Sequence, residues 1–131
     1  MSQETESEAQ QYEILFTEDA KYEIANLDGS IKSRLKKVLE KKLAVDPAGY
    51  GLPLRSILTG FLKHEFAEHR IIYQIPPGEK KIVLVCAVGP RKAGDVVDVY
   101  NQLEKVAESG KLAAQIRAVL DIALPKRKNQ K

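Results

Sequence analysis

Two arginines stand where a plain β-hairpin needs none. Arg70 precedes the aliphatic-aromatic run Ile71-Ile72-Tyr73, and Arg91 follows the apolar run Ile82–Val88 after Gly89-Pro90. Each sits at the end of a segment that reads as a β-strand, so permanently charged groups are delivered from rigid elements. A guanidinium is a planar fork of donors whose charge never titrates away, and it matches phosphate oxygens. Phosphate binding is the chemistry these positions suit. Nearby lie Lys63, Glu65 and the only two histidines, His64 and His69. Two imidazoles can act as an acid and base near neutral pH, with a packing or partner role as the alternative for both. Arg70 has an alternative of its own, an ion pair with Glu65 or Glu68 across a hairpin.

The scaffold for these groups follows from hydrophobic periodicity. Tyr12–Phe16 predicts a short strand, and Thr17 is placed to cap a helix carrying Ala20, Ile24 and Leu27 at helical spacing. Asp28-Gly29-Ser30 breaks that helix and caps a second one, whose apolar stripe is Ile31, Leu35, Val38, Leu39 and Leu43. So short a joint predicts an antiparallel helical hairpin. Pro and Gly density marks 46–53 as loop. A meander follows: a strand around Phe61–Phe66, a second over Arg70–Ile75, a Pro-Pro-Gly-Glu turn, and a third over Ile82–Val88. Arg70, Ile72 and Gln74 share one face of the middle strand, and Ile71, Tyr73 and Ile75 the other. Ile82–Val88 is apolar at both alternations, the pattern of a central strand covered on both sides. Strict alternation puts Ile82, Leu84, Cys86 and Val88 on one face and Val83, Val85 and Ala87 on the other. Helices are predicted over Asp95–Ala107 and Lys111–Leu124, with Pro125 ending the last.

Composition narrows the options. A chain of 131 residues can bury a self-sufficient core. The single cysteine, Cys86, rules out an intrachain disulfide framework and reads as a buried thiol. No apolar run approaches the roughly 20 residues that span a bilayer, and the acidic N-terminus is unlike a signal peptide, so a soluble, cytoplasmic protein is expected. The net charge of +3 is small, but unevenly placed. Residues 1–13 carry four glutamates and no basic group, and 126–131 four basic groups and no acid. Lys32, Arg34, Lys36, Lys37, Lys41 and Lys42 cluster on the second helix with only Glu40 among them. Such a face attracts a polyanion or is simply solvated. No Gly-rich phosphate loop, GxSxG or HExxH is present.

The order of elements, with Pro-Leu-Arg…Leu-Thr-Gly at 53–60, His-Arg-Ile-Ile-Tyr at 69–73 and Val-Gly-Pro-Arg at 88–91, resembles the RelE/ParE superfamily of bacterial toxins. The resemblance implies an α+β, RelE-like fold. A short N-terminal strand, a helical hairpin and a three-stranded antiparallel meander complete a four-stranded sheet, followed by C-terminal helices. It covers a toxin domain at 12–107, leaving 1–11 as a disordered acidic arm and 108–131 as a C-terminal helical extension and basic tail. The last helix is expected to fold back on its own domain; the alternatives are a homodimer through it or occupation of an antitoxin groove.

For the RelE-like branch the implied function is the toxin of a type II toxin–antitoxin pair. Such a protein is a metal-independent endoribonuclease that cleaves mRNA on the ribosome and is blocked by a cognate antitoxin protein. No cofactor or metal is expected. Such cleavage needs a base for the ribose 2′-OH, an acid for the 5′-oxygen, and cations facing the phosphorane. Arg70 and Arg91 match the strand-borne arginines that clamp the phosphate. Lys63 falls at the lysine position of the active strand. Glu65 stands where a second basic group is usual, and is either the general base or a carboxylate balancing Lys63. Tyr100 corresponds to a substrate-contacting helix tyrosine or packs on the sheet. His69 and the lysines 32, 36 and 37 are candidates for RNA contact. The Glu65 departure keeps two alternatives open: a ParE-like, gyrase-directed toxin without nuclease activity, and a non-catalytic RNA- or protein-binding domain.

Overall fold

The computed structural model describes residues 11–90 and 99–124. Strand β1 (Glu13–Phe16) leads into helix α1 (Glu18–Ala25) and helix α2 (Gly29–Val38), which runs on into a π-helical turn at Leu39–Leu43. Strands β2 (Leu52–Pro53), β3 (Leu62–Phe66), β4 (His69–Gln74) and β5 (Ile82–Pro90) follow, then helices α3 (Val99–Glu108) and α4 (Lys111–Ala123). The five-stranded sheet has the order β1-β5-β4-β3-β2, parallel between β1 and β5 and antiparallel elsewhere. The α+β expectation holds, with one strand more than the four foreseen. β2 is two residues inside a Pro/Gly-rich loop and has no periodicity to reveal it. Pairing with Lys63 and Leu62, and the Leu54 N–H to Phe61 carbonyl bond of 3.0 Å, create it.

The caps are where side-chain chemistry places them. Thr17 Oγ1 accepts from Ala20 N–H at 3.1 Å, and Asp28 accepts from the Ser30 N–H and hydroxyl at 3.2 and 2.6 Å. The two Ser30 bonds hold the Asp28 carboxyl below its ordinary range.

Every residue of β5 from Ile82 to Gly89 is buried. On one face Val83, Val85 and Val88 pack with Ile71, Tyr73, Ala20, Leu35 and Leu43, under the helical hairpin. On the other, Leu84, Cys86 and Ala87 pack with Ile72, Leu58, Val99, Leu103 and Leu112, under α3 and α4. Ala87 and Val88 therefore exchange the faces that strict alternation assigned them. Register explains the swap: Tyr73 pairs with Val85 and Ile72 with Ala87, so Cys86 is an extra residue, a β-bulge. A bulge shifts the phase of everything beyond it. Each fully buried aliphatic on this strand contributes about 1.5–3 kcal/mol, so a charge at Val83 or Val85 would break the sheet.

Helix α4 folds back on its own sheet: Leu112 is buried, with Ile116, Val119 and Leu120 packed beside it, while Ile122 remains 82% exposed. Helix α2 keeps the predicted stripe as far as Leu43, but its last turn reaches it by a π-helical turn. At about 100° per residue, the core-facing position after Leu35 and Leu39 is 42, where a lysine stands. The Ala44 N–H reaches back five residues to the Leu39 carbonyl at 2.8 Å. This inserts a residue, turns Leu43 fully inward and leaves Lys42 exposed.

Candidate functional site

Register across β3, β4 and β5 decides which polar side chains meet. Lys63 lies opposite Ile72 and Glu65 opposite Arg70, which in turn pairs with Gly89. Since Ile72 packs under α3, this row faces α3. Gly89 lets α3 approach, because a Cβ there would lie 3.0 Å from Val99 Cβ. With Val99 seated on that glycine, the next residue, Tyr100, presents its ring to Arg70, 5.3 Å from the guanidinium carbon.

Four of the residues singled out in the sequence thus form one cluster. Glu65 Oε2 is 3.3 Å from Arg70 Nη2 and 3.5 Å from Lys63 Nζ. The Arg70 side chain is 12% exposed, Lys63 26% and Glu65 37%, so the carboxylate and the ammonium reach solvent while the guanidinium lies beneath them. Both contacts exceed the roughly 2.7–2.9 Å of a strong charge-assisted bond. With Glu65 this open to water, their net worth is on the order of 1 kcal/mol. Such a pair is easily exchanged for another anion.

Arg91, the fifth catalytic candidate, lies outside the described residues, as do 1–10 of the acidic arm, the start foreseen for the Asp95 helix, and the basic tail. β5 leads toward it from Pro90, which pairs with His69. His69 itself is on the hairpin side of the sheet, away from Glu65 and Arg70. Its Nδ1–H donates to the Ala67 carbonyl at 2.9 Å and its ring lies 5.8 Å from that of Phe66. His64 also faces the hairpin side, donating from Nδ1 to the Tyr50 carbonyl at 2.8 Å. Each histidine Nδ1 is thus taken by a backbone carbonyl, of Tyr50 for His64 and of Ala67 for His69. Lys32, Lys36 and Lys37 are exposed on α2, on the opposite side of the sheet from the four-residue cluster.

One group was not foreseen. β1 stops pairing at Thr17, whose N–H donates to the Val85 carbonyl at 3.0 Å, and β5 runs on with β4 but without β1. Glu23 of α1 takes over, accepting from Val88 N–H at 2.9 Å. Burial pushes its carboxyl up to about 7, against the Val88 bond that lowers it, with Asp19 adding to the rise. The residue borders a cleft of about 360 Å³ shared with Asn26, Val88, Gly89, Val99 and Gln102. The signal was Glu23 at i+3 from Ala20, on the stripe read as apolar.

Solved structures share this fold. The RelBE2 toxin–antitoxin complex of Mycobacterium tuberculosis contains a chain 26% identical, with 62% of this chain and 99% of that one covered at a TM-score of 0.57. The isolated RelE toxin of E. coli is 27% identical over 72% of this chain and 96% of its own, at 0.53. The chain has the fold of the RelE-like toxins. A variant of E. coli RelE bound to an antitoxin RelB peptide is likewise 27% identical, over 71% of this RelE-like chain and 94% of that one, at 0.54. No family model and no curated protein sequence matches. Among the described residues of the RelE-like chain, no helix is long and apolar enough to cross a membrane.

Proposed function

We propose that this RelE-like chain is the toxin of a toxin–antitoxin pair and cleaves mRNA on the ribosome in the cytoplasm, with a cognate antitoxin protein as its inhibitor. The observation that carries the reading is the convergence of Lys63, Glu65, Arg70 and Tyr100 on one face of the sheet. The ground-state contacts suggest how they act. An incoming phosphodiester, its single charge shared by two oxygens that match the guanidinium fork, displaces Glu65 from its long contact with Arg70. That exchange gives Arg70 a phosphate partner and frees the carboxylate as general base. Glu65 takes the proton of the ribose 2′-OH, and the 2′-oxygen attacks phosphorus. The 5′-oxygen leaves with a proton from the Lys63 ammonium, and a 2′,3′-cyclic phosphate remains. Arg70 and Arg91 face the extra negative charge of the phosphorane. Tyr100 holds the guanidinium plane and offers a ring to a neighbouring base.

The test is a translation extract supplied with the purified chain. Primer extension should reveal cut message on translating ribosomes, lost with Glu65→Gln and with Arg91→Ala. Uncut message in the presence of the native chain would overturn the reading.

One observation favours a second reading. Glu65 neutralises one of the two cations it touches, leaving the three charges with a net of +1. A gyrase-directed toxin of the same fold would need no phosphate clamp, and would leave translation intact while trapping DNA breaks.

A further inference from the structure

The basic face of α2 is not absorbed by the site above. Six basic residues and one acid, Glu40, lie between positions 32 and 42, a net of 6 − 1 = +5. Surface lysines usually find carboxylates at helical spacing. Here, among the described residues, none of the six takes part in an ion pair. Lys42, turned outward by the π-helical turn, instead lies over the ring of Tyr50, 5.6 Å from its centroid.

Tyr50 is 42% exposed, although an aromatic ring so placed has little to gain in water. It is nonetheless held firmly. Its N–H donates to the Asp46 carbonyl at 3.1 Å, and its carbonyl accepts from His64 at 2.8 Å. The His64 ring stands edge-on to it, at 6.0 Å and 89°. The Asp46 carboxylate, the acid closest in sequence to this ring, is occupied by Gly49 N–H at 3.0 Å. An exposed ring on an anchored backbone, at the end of an unneutralised row of lysines, is the arrangement that binds single-stranded nucleic acid, with rings taking bases and cations taking phosphates.

We propose that the α2 face, with Tyr50 as its stacking platform, is a second RNA contact that grips an unpaired segment on the side of the sheet opposite the Lys63–Glu65–Arg70–Tyr100 cluster. The choice of RNA rests on the function proposed above; the stacking geometry does not. Because β3 sends Lys63 and Glu65 to one face and His64 to the other, one short stretch of strand cannot occupy both places. Gripping and cutting are then separable.

The experiment is fluorescence anisotropy of the full-length chain with a labelled 12-nucleotide single-stranded RNA and with an RNA duplex, over a salt series. Tyr50→Ala should weaken single-strand binding about tenfold and leave the duplex unaffected, while Tyr50→Phe retains native affinity. Replacing Lys36, Lys37 and Lys41 by alanine should flatten the salt slope by about 2. Equal affinity of Tyr50→Ala and native protein, or an equal loss on duplex, would overturn the proposal. Thermal melts confirm that each variant is folded. Message cleavage, scored separately, distinguishes failure of the nuclease reading from failure of this one. Cut message with Tyr50-independent binding sinks only the second contact; uncut message with Tyr50-dependent binding sinks only the nuclease.

Discussion

Nη2 of Arg70 and Oε2 of Glu65 stand 3.3 Å apart on residues that face each other directly across the β3–β4 ladder. The pair is part of the sheet's register, so it persists without substrate, and its polar ends can be altered without disturbing the strands. Glu65→Gln keeps the shape and removes the charge. Stability should change by only about 1 kcal/mol, whereas message cleavage should fall by roughly 10²–10⁴, the usual contribution of a general base. Denaturation curves and primer extension on the same preparations measure both. A parallel small loss in the two would assign Glu65 a purely structural part.

The β3–β4 turn stores strain beside that pair. Ala67 and Glu68 both take positive φ, 45° and 63°, as a tight hairpin turn requires, yet neither has the freedom of Asn or Gly. The double change Ala67→Asn with Glu68→Gly should raise the unfolding free energy by about 1–2 kcal/mol. The urea midpoint should rise while its slope stays constant. A fixed midpoint would mean that the surroundings already compensate the turn.

Glu23 makes stability depend on pH with a sign opposite to that of an ordinary ion-paired carboxylate. Its folded pKa is about 7 against a reference of 4.5, so between those values the native state holds more proton than the unfolded chain. Its contribution is complete below pH 4.5 and is lost as pH rises through about 7. Discounted for partial exposure, the swing is about 2 kcal/mol. Glu23→Gln should therefore gain on the native chain by about that amount between pH 5 and pH 8. Urea titrations at the two pH values check it, and a pH-independent difference would remove the buried carboxyl as the cause.

Tyr73 is fully buried and donates its hydroxyl to the Pro47 carbonyl at 2.7 Å; burial pushes the phenol up to about 12. Tyr73→Phe should cost about 1–2 kcal/mol, by leaving a buried carbonyl unmatched. Gly51→Ala should cost at least as much, since its Cβ would collide with the same hydroxyl. Near-neutral values in thermal melts would show that water reaches Pro47.

The alternation of Arg70–Ile75, the doubly apolar β5 and the Thr17 and Asp28 caps were legible because each rests on local spacing. So was the cluster itself, since two residues apart on β3 means one face, and β4 follows after a tight turn. What could not be read depends on register or on inserted residues. The Cys86 bulge exchanges Ala87 with Val88. β2 exists only because β3 is beside it. Glu23 carries no local sign of its partner, because only the fold shows β5 outrunning β1. The sequence placed His64 and His69 near one another but left their partners open, and those lie on the Tyr50 loop and in the hairpin turn.

Cys86 is 1% exposed, and its thiol is pushed up to about 12 by burial and by the charge of Glu23. At neutral pH almost no thiolate is available, and nothing short of parting β5 from its helices admits a reagent. As the chain's sole cysteine, it is a built-in clock: the rate at which an alkylating agent consumes it times the opening of the central strand, with no label to introduce.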